Sequence, residues 1–274
     1  MSNVASSDAF SARGREVREV VRRLRDGGRA LVALSGGVDS SLVASLAYEA
    51  LGADVIAVTL VGPAVSEQER QRASRVAQAI GIPHEIVDAD PMGNDAYREN
   101  TANRCYFCRT TETAALLRFG VSRGVRQFLD GVHLDDLGDD RPGLRAMQEA
   151  GFDHPLLWAG WHKSEVRRLA QVRQLPNWDQ PSDACLASRV RHGIPITTDL
   201  LRRIERAEDH VLARGFRRVR VRVEARTARI EVDPDEVARL LEEPLATQVT
   251  SAIRSEGFAE VLIDRHGYAP RPGS

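Results

Sequence analysis

Over the first two thirds of the chain, short continuous apolar runs alternate with longer stripes of helical period. Residues 29–34, Arg-Ala-Leu-Val-Ala-Leu, form an apolar run of strand length, residues 53–61 read as a second buried strand, and residues 84–88, His-Glu-Ile-Val-Asp, supply a third strand. Val17, Val20, Val21 and Leu24 recur at helical spacing within residues 14–25, ahead of the first run. Residues 42–47 continue a helix after it, and residues 67–80 read as a helix stopped by Gly81-Ile82-Pro83. A fourth run at 127–132 follows a helix expected over 109–119, and another amphipathic helix is expected over 164–174. This β-α-β-α-β alternation predicts an α/β fold, a doubly wound parallel sheet in which ligands sit beyond the C-terminal strand ends.

The pattern changes after a segment at 176–196 that is rich in Pro, Asp and Ser and has no period of its own. Leu200, Leu201, Ile204, Ala207 and Val211 then mark a helix that stops at Gly215. Strands are expected at 218–224 and 228–232, helices through Val237, Leu240 and Leu241 and over 246–254, and a closing strand at 258–263. The expected organisation is a flexible tail at 1–13, a nucleotide-binding domain at 14–180, and a smaller C-terminal α+β domain at 190–274 for substrate binding and oligomerisation.

Composition narrows the class only slightly. The 274 residues are 42% hydrophobic and 28% charged, as in an ordinary globular protein, and no apolar run reaches the length of a membrane span. Residues 1–13 lack the apolar core of a signal peptide, so a cytoplasmic protein with no membrane partner is expected. The formal net charge of −1 gives no reason to expect nucleic acid as a general partner, although arginines crowd the C-terminal third.

The first strand leads directly into Ser35-Gly36-Gly37-Val38-Asp39-Ser40 and then a helix. A strand that turns through two glycines into a helix aims backbone N–H groups and a helix dipole at one spot, which favours an anion. Ser35, Ser40 and Ser41 add hydroxyls, so a nucleotide phosphate chain is the expected guest. The loop carries no lysine, and Lys163 is the only lysine in the chain. Asp39 would repel phosphates unless Mg²⁺ lay between them. Thr59, at the end of the second strand, is placed near the nucleotide, and the aspartate-rich run after the fourth strand, with Asp135 and Asp136, reads as a cation site facing the phosphates.

Cys105 and Cys108 form a C-x-x-C pair near the start of a helix, and Cys185 stands alone in Ala184-Cys185-Leu186-Ala187-Ser188-Arg189. A C-x-x-C can be a redox pair, half of a zinc site or a cluster anchor. Three cysteines with no histidine at zinc-ligand spacing suit a [4Fe–4S] cluster with one iron left open, and that reading expects the three to converge. In residues 218–223, Arg-Val-Arg-Val-Arg-Val, strand alternation puts the arginines on one face, where they can converge on an anion, with Glu231 on the next strand to orient one of them.

Taken together, the Ser35 to Ser40 loop, Asn103-Arg104-Cys105-Tyr106-Phe107-Cys108, the segment from Asp130-Gly131 to Gly143, the Ala-Cys-Leu-Ala-Ser-Arg run and Arg220-Val221-Arg222 resemble the LarE-type ATP-dependent sulfur transferases of nickel-pincer nucleotide biosynthesis. These belong to the PP-loop ATP pyrophosphatases, whose fold is adenine nucleotide alpha hydrolase-like. The resemblance implies ATP and Mg²⁺ as cofactors, with Ser35, Gly36, Gly37, Asp39, Ser40 and Thr59 at the nucleotide. It implies adenylation of the carboxylates of pyridinium-3,5-biscarboxylic acid mononucleotide, a small nucleotide-like substrate, and their conversion to thiocarboxylates. Arg220, Arg222, Glu208 and Arg271 are its implied substrate ligands, although Ala269 follows Tyr268 where the family has arginine, and His133 stands where threonine or asparagine is usual. Cys105, Cys108 and Cys185 together match the branch that delivers a [4Fe–4S]-bound sulfide, replenished from sulfide or another sulfur donor. Sacrificial donation from Cys185 is the alternative. Homo-oligomers are implied as well. A PP-loop tRNA thiolase and a non-catalytic ATP-binding module are the rival readings, the first wanting a broad basic surface and the second having no use for the cysteines.

Overall fold

The computed structural model describes residues 2–138, 142–181 and 184–269, with residues 2–13 as backbone only. The chain forms two compact units. The first comprises Met1–Val61, Glu67–Ala89 and Cys108–Ser182, and the second Gly62–Ser66, Asp90–Phe107 and Asp183–Ser274. The expected boundary near 176–196 is where the chain passes into the second unit for good. Two earlier excursions, 62–66 and 90–107, also belong to that unit.

The first unit holds α1 (Ser2–Gly27), β1 (Ala30–Ala33), α2 (Val38–Leu51), β2 (Val55–Val61), α3 (Glu67–Ile80) and β3 (His84–Asp88) in succession. After α4 (Asp95–Arg98), which lies in the second unit, come α5 (Arg104–Val121), whose first turn through Phe107 also belongs to the second unit, β4 (Gln127–Leu129), α6 (Pro142–Glu149), α7 (Pro155–Trp158) and α8 (Lys163–Val172). α1 begins well before the expected residue 14, in the stretch assigned to a tail, and α5 begins at Arg104 rather than 109, so that Cys105 and Cys108 lie within its first two turns.

Four strands pair in the order β3-β2-β1-β4, all parallel. Both faces are covered over β1 and β4 and most of β2, which therefore read as mainly apolar runs, while the edge strand β3 leaves Glu85, Ile86 and Asp88 exposed. Ala30 and Val32 point into a core with Leu42, Leu46, Trp161 and Val166, while Leu31 joins Leu116, Phe128 and Phe152 on the opposite face. The chain lays down β1, β2 and β3 outward to one side, then returns to place β4 on the other side of β1. The order therefore reverses between β1 and β4, the crevice where doubly wound sheets bind ligands.

The second unit contains α9 (Thr198–Leu212), β5 (Val219–Glu224), β6 (Thr227–Val232), α10 (Val237–Leu241), α11 (Leu245–Ser255) and β7 (Glu260–Ile263). β5 and β6 are antiparallel, and β6 and β7 parallel. Val219, Val221, Val223, Ile230 and Val232 are all buried, with α9 and α11 packed on this sheet and on each other. Arg220 and Arg222 alternate with those valines and lie on the other face. Among the described residues no helix is long and apolar enough to cross a membrane.

Candidate active site

The glycine loop lies at the C-terminal end of β1, at the switch point. Gly36 has φ of +77°, and a Cβ there would sit 2.8 Å from the Ala73 backbone nitrogen, so the position requires glycine. The Ser35 and Ser40 hydroxyls lie 3.1 Å apart, the Ser40 hydroxyl donates to the Gly37 carbonyl at 3.1 Å, and that of Ser41 donates to the same carbonyl at 2.7 Å. These bonds hold Gly37 as the cap of α2 and leave that helix's N-terminus as an anion site. After β4, Gly131 approaches the loop so closely that a Cβ would fall 2.6 Å from the Ser40 nitrogen and 2.9 Å from Asp39 backbone carbon.

A lysine from elsewhere in the fold meets the loop at Asp39. Lys163, first residue of α8, places Nζ 2.6 and 2.5 Å from the two carboxylate oxygens of Asp39, and both side chains are about a quarter exposed. Asp135 fixes the start of that helix: it accepts from Lys163 backbone N–H at 2.7 Å and pairs with His162 Nδ1 at 2.6 Å. The His162 bond first, and then the Lys163 N–H, hold the Asp135 carboxyl below the usual carboxylate range. Sequence reasoning singled out Lys163 only for standing outside the loop. The available signal was that a lone lysine opens a helix in an α/β unit, and its target was not readable.

His133 is buried between the acids. Its Nε2 is 3.8 Å from Asp39, and its Nδ1, which makes no hydrogen bond among the described residues, is 3.5 Å from Asp136 and 3.9 Å from Asp135. Asp136 Oδ2 also accepts from the His133 backbone N–H at 3.0 Å. The aspartates thus face histidine, lysine and a helix start. Among the described residues no three Cys, His, Asp or Glu side chains are gathered to hold a metal ion. Asp135 and Asp136, expected as a cation site facing the phosphates, are bonded to His162, Lys163 and His133.

Thr59 lies beside the loop but is buried, with its hydroxyl donating to the Leu34 carbonyl at 2.7 Å and 2.8 Å from His84 Nε2. It supports the strand end that carries Ser35. Asn177, which the sequence did not flag, is also buried and donates from Nδ2 to the Gly36 carbonyl at 2.7 Å and the Ser41 hydroxyl at 2.9 Å. It fixes the glycine peptide from behind.

In the second unit, Cys185 caps the 3₁₀ turn Leu186–Arg189. Arg189 is buried, donates to the Ala184 carbonyl and, at 3.1 Å, to that of Cys185, and forks onto Glu208 at 2.9 and 3.1 Å. Glu208 also accepts from the Val221 N–H at 2.9 Å. Glu208, expected as a substrate ligand, thus has both its oxygens bonded inside the unit. Arg222 bonds Glu231 at 3.1 Å and the Ser188 carbonyl at 3.2 Å, as the expected orienting role of Glu231 required. Arg218 and Arg220 lie over the Tyr268 ring, at 4.9 and 5.7 Å. A cavity of about 550 Å³ opens beside Ser188, Arg189, Arg191, Arg222 and Arg229, a size suited to a small ligand. Arg271 lies outside the described residues.

None of the three cysteines is in a disulfide. Cys105 is exposed, Cys108 and Cys185 are half-buried, and the Cys108 thiol donates to Glu112 at 3.4 Å. Cys105 and Cys108 stand three residues apart on α5, hence on neighbouring positions of one face. Cys105 and Cys185 belong to the second unit and Cys108 to the first.

Comparison with known proteins agrees with the loop and the fold. A family model described as NAD synthase matches residues 11–115, the stretch that contains the loop. An uncharacterized protein of Synechocystis sp. is 40% identical over 88% of this chain and 90% of its own length. A tRNA-specific 2-thiouridylase of Xanthobacter autotrophicus is 32% identical, but over only 57% of this chain and 50% of its own. The pyridinium-3,5-bisthiocarboxylic acid mononucleotide synthase of Lactiplantibacillus plantarum is 32% identical over 91% of this chain and 90% of its length. With that near full-length match, and with the glycine loop at the switch point of a parallel sheet, the chain belongs to the LarE-type ATP-dependent sulfur transferases of the PP-loop superfamily.

Proposed function

We propose that this enzyme adenylates the carboxylates of a pyridinium-3,5-biscarboxylic acid mononucleotide and replaces AMP by sulfur to give thiocarboxylates. The observation that carries the reading is the synthase match over nearly the whole of both chains. The N-terminus of α2, the Ser35 and Ser40 hydroxyls and Lys163 together make a cationic seat for a triphosphate. A substrate carboxylate oxygen then attacks the α-phosphorus, pyrophosphate leaves, and a sulfur nucleophile displaces AMP from the acyl carbon. Lys163 faces charge that builds on the departing pyrophosphate, and Arg220 and Arg222 are the proposed holders of the substrate's own phosphate.

Asp39 is the residue that would hold Mg²⁺, the ion taking over the oxygens now paired with Lys163 and freeing that ammonium for the phosphates. Magnesium commonly takes one or two carboxylates and fills its remaining positions with phosphates and water, so a single aspartate on the loop fits it without a protein cage. The ion would neutralise phosphate charge.

For the sulfur source, Cys105, Cys108 and Cys185 are the residues that would hold a [4Fe–4S] cluster with one open iron, which would supply a replenishable sulfide. The donor chemistry suits this, and the resemblance supports it. The second reading, in which Cys185 itself gives up its sulfur, needs neither of the other two cysteines.

Anaerobic incubation with ATP, Mg²⁺, sulfide and the dicarboxylate nucleotide tests both. More than one thiocarboxylate per protein, with iron in the purified enzyme, supports the cluster. A single turnover with loss of the elements of H₂S from Cys185 in the mass spectrum supports sacrifice. No AMP release with this substrate overturns the activity, and strongly salt-dependent tRNA binding would redirect it to a thiolase.

A further inference from the structure

Arg104 opens α5, where a cation opposes the helix dipole, and it is 6% exposed. Among the described residues no carboxylate pairs with it. Local propensity and electrostatics therefore both count against an arginine here, and specific contacts must offset them. Those contacts are few and directed. Nη1 donates to Asn100 Oδ1 at 2.7 Å and to the Ala187 carbonyl at 3.0 Å, inside the turn that Cys185 caps. Nη2 lies 3.9 Å from the Cys105 sulfur.

Asn100 completes the arrangement. It is wholly buried with φ of +54°, a left-handed conformation that asparagine tolerates better than most residues. Its amide nitrogen donates to the carbonyls of Arg191 and Ile194 at 2.9 Å and reaches that of Val190 at 3.4 Å. Its own carbonyl accepts from the Gly193 N–H at 3.0 Å. Asn100 thus grips the chain after the cysteine turn while Arg104 grips the turn itself, and each orients the other.

We propose that Arg104, oriented by Asn100, is a positioning residue for Cys185: its Nη1, which donates to both Asn100 and Ala187, ties the Leu186–Arg189 turn to the first turn of α5, which carries Cys105, and so sets the direction in which the Cys185 sulfur is presented. The catalytic consequence rests on the proposed sulfur role of Cys185, but the geometric part stands without it. A lysine would keep the charge and lose the rigid guanidinium plane that fixes the direction of the Nη1 donors.

The test uses full-length Arg104→Lys and Arg104→Met proteins. Three readouts are taken: amide exchange of peptides over 184–190, the alkylation rate of Cys185 by iodoacetamide followed by peptide mass spectrometry, and steady-state kinetics. Exchange over 184–190 is expected to rise by about tenfold in both variants, as loss of a charged hydrogen bond to a buried carbonyl implies, while peptides from α9 exchange as in the parent. Cys185 alkylation is expected to change severalfold. The kcat for thiocarboxylate is expected to fall by about tenfold with KM for ATP held within about twofold, a split that a general loss of stability would not give. Parental exchange and alkylation rates in both variants would overturn the proposal. Should Arg104→Met not fold, Arg104→Lys decides. If the parent enzyme makes no thiocarboxylate, the proposed function fails, while exchange and alkylation still decide the positioning role.

Discussion

Removing the Lys163 ammonium separates two roles that its geometry allows. Nζ sits 2.6 and 2.5 Å from the Asp39 oxygens, and the side chains are 26% and 25% exposed. Two unit charges about 3 Å apart attract by roughly 5 kcal/mol at an effective dielectric near 20, but desolvation and solvent screening cancel most of that for a partly exposed pair, leaving about 1 kcal/mol. For Lys163→Met the expected stability loss is therefore small, a fall in Tm of about 2–4 °C. A cation aimed at developing phosphate charge is a different matter, and its loss costs about 10²–10³ in rate when comparable preorganised donors are removed. AMP release measured by chromatography, with pyrophosphate release followed in parallel, should fall by that factor in Lys163→Met and recover in part in Lys163→Arg. A double-mutant cycle in melting temperature with Asp39→Asn should show that the stability loss is shared by the pair. AMP release within threefold of the parent in Lys163→Met, with the coupling in stability intact, would show that the lysine only neutralises Asp39, and the assignment to the phosphates would fail.

Gly131→Ala forces a Cβ to 2.6 Å from the Ser40 nitrogen, a backbone atom that cannot swing aside, so about 1–3 kcal/mol of stability and most ATP binding should be lost, read by melting and by titration calorimetry. Glu208→Gln leaves the buried Arg189 guanidinium without its charge partner, and a loss of about 3–5 kcal/mol is expected in urea unfolding; a loss below about 1 kcal/mol would mean that Glu208 is not the anchor described here. Burial works against protonation of His154, but its 2.7 Å bond to Asp130, helped by the charges of Asp130 and Asp153, outweighs this and raises its pKa. That pair's contribution is thus fully present below the ordinary histidine value near 6.5 and fades as pH rises through the higher folded value, which a ring-proton NMR titration and melting curves across that window would show. Asp130→Asn should bring the His154 titration down.

The strands were legible because burial on both faces leaves no room for polar positions. β1 reads as an unbroken apolar run and β2 as one broken only by Thr59, and the valines of β5 alternate with arginines in the register observed. The Ser35 to Ser40 loop was legible for a related reason: a strand, a positive-φ glycine and a helix start are consecutive in the chain, so one local stretch builds the whole anion seat. What stayed hidden was assembled over long sequence separations. Lys163 reaches Asp39 across 124 residues, Asn177 reaches Gly36 across 141, and Glu208 finds Arg189 only because α9 packs against β5. The excursions 62–66 and 90–107 carry no compositional mark either, because a short polar connection looks the same whichever unit it joins.

The same distinction bears on the arginines. Alternation alone presented Arg218, Arg220 and Arg222 as three cations waiting for an anion, yet Arg220 and Arg222 are buried, and a buried guanidinium without a partner is costly. The fold therefore supplies acids: Glu231 bonds Arg222, Glu208 holds Arg189, and Asp233 pairs with Arg218 at 3.1 Å. Such a sheet is close to neutral at rest, which fits a chain of net charge −1 and argues against a surface that gathers polyanions indiscriminately. It also sets a condition on the proposed substrate. A phosphate entering beside Arg222 must offer its bidentate oxygens on better terms than a carboxylate already in place, and only a ligand that makes further contacts along the cavity can do so. Discrimination against free phosphate then follows from the internal ion pairs themselves, which a single small anion cannot displace but a whole nucleotide-like substrate can.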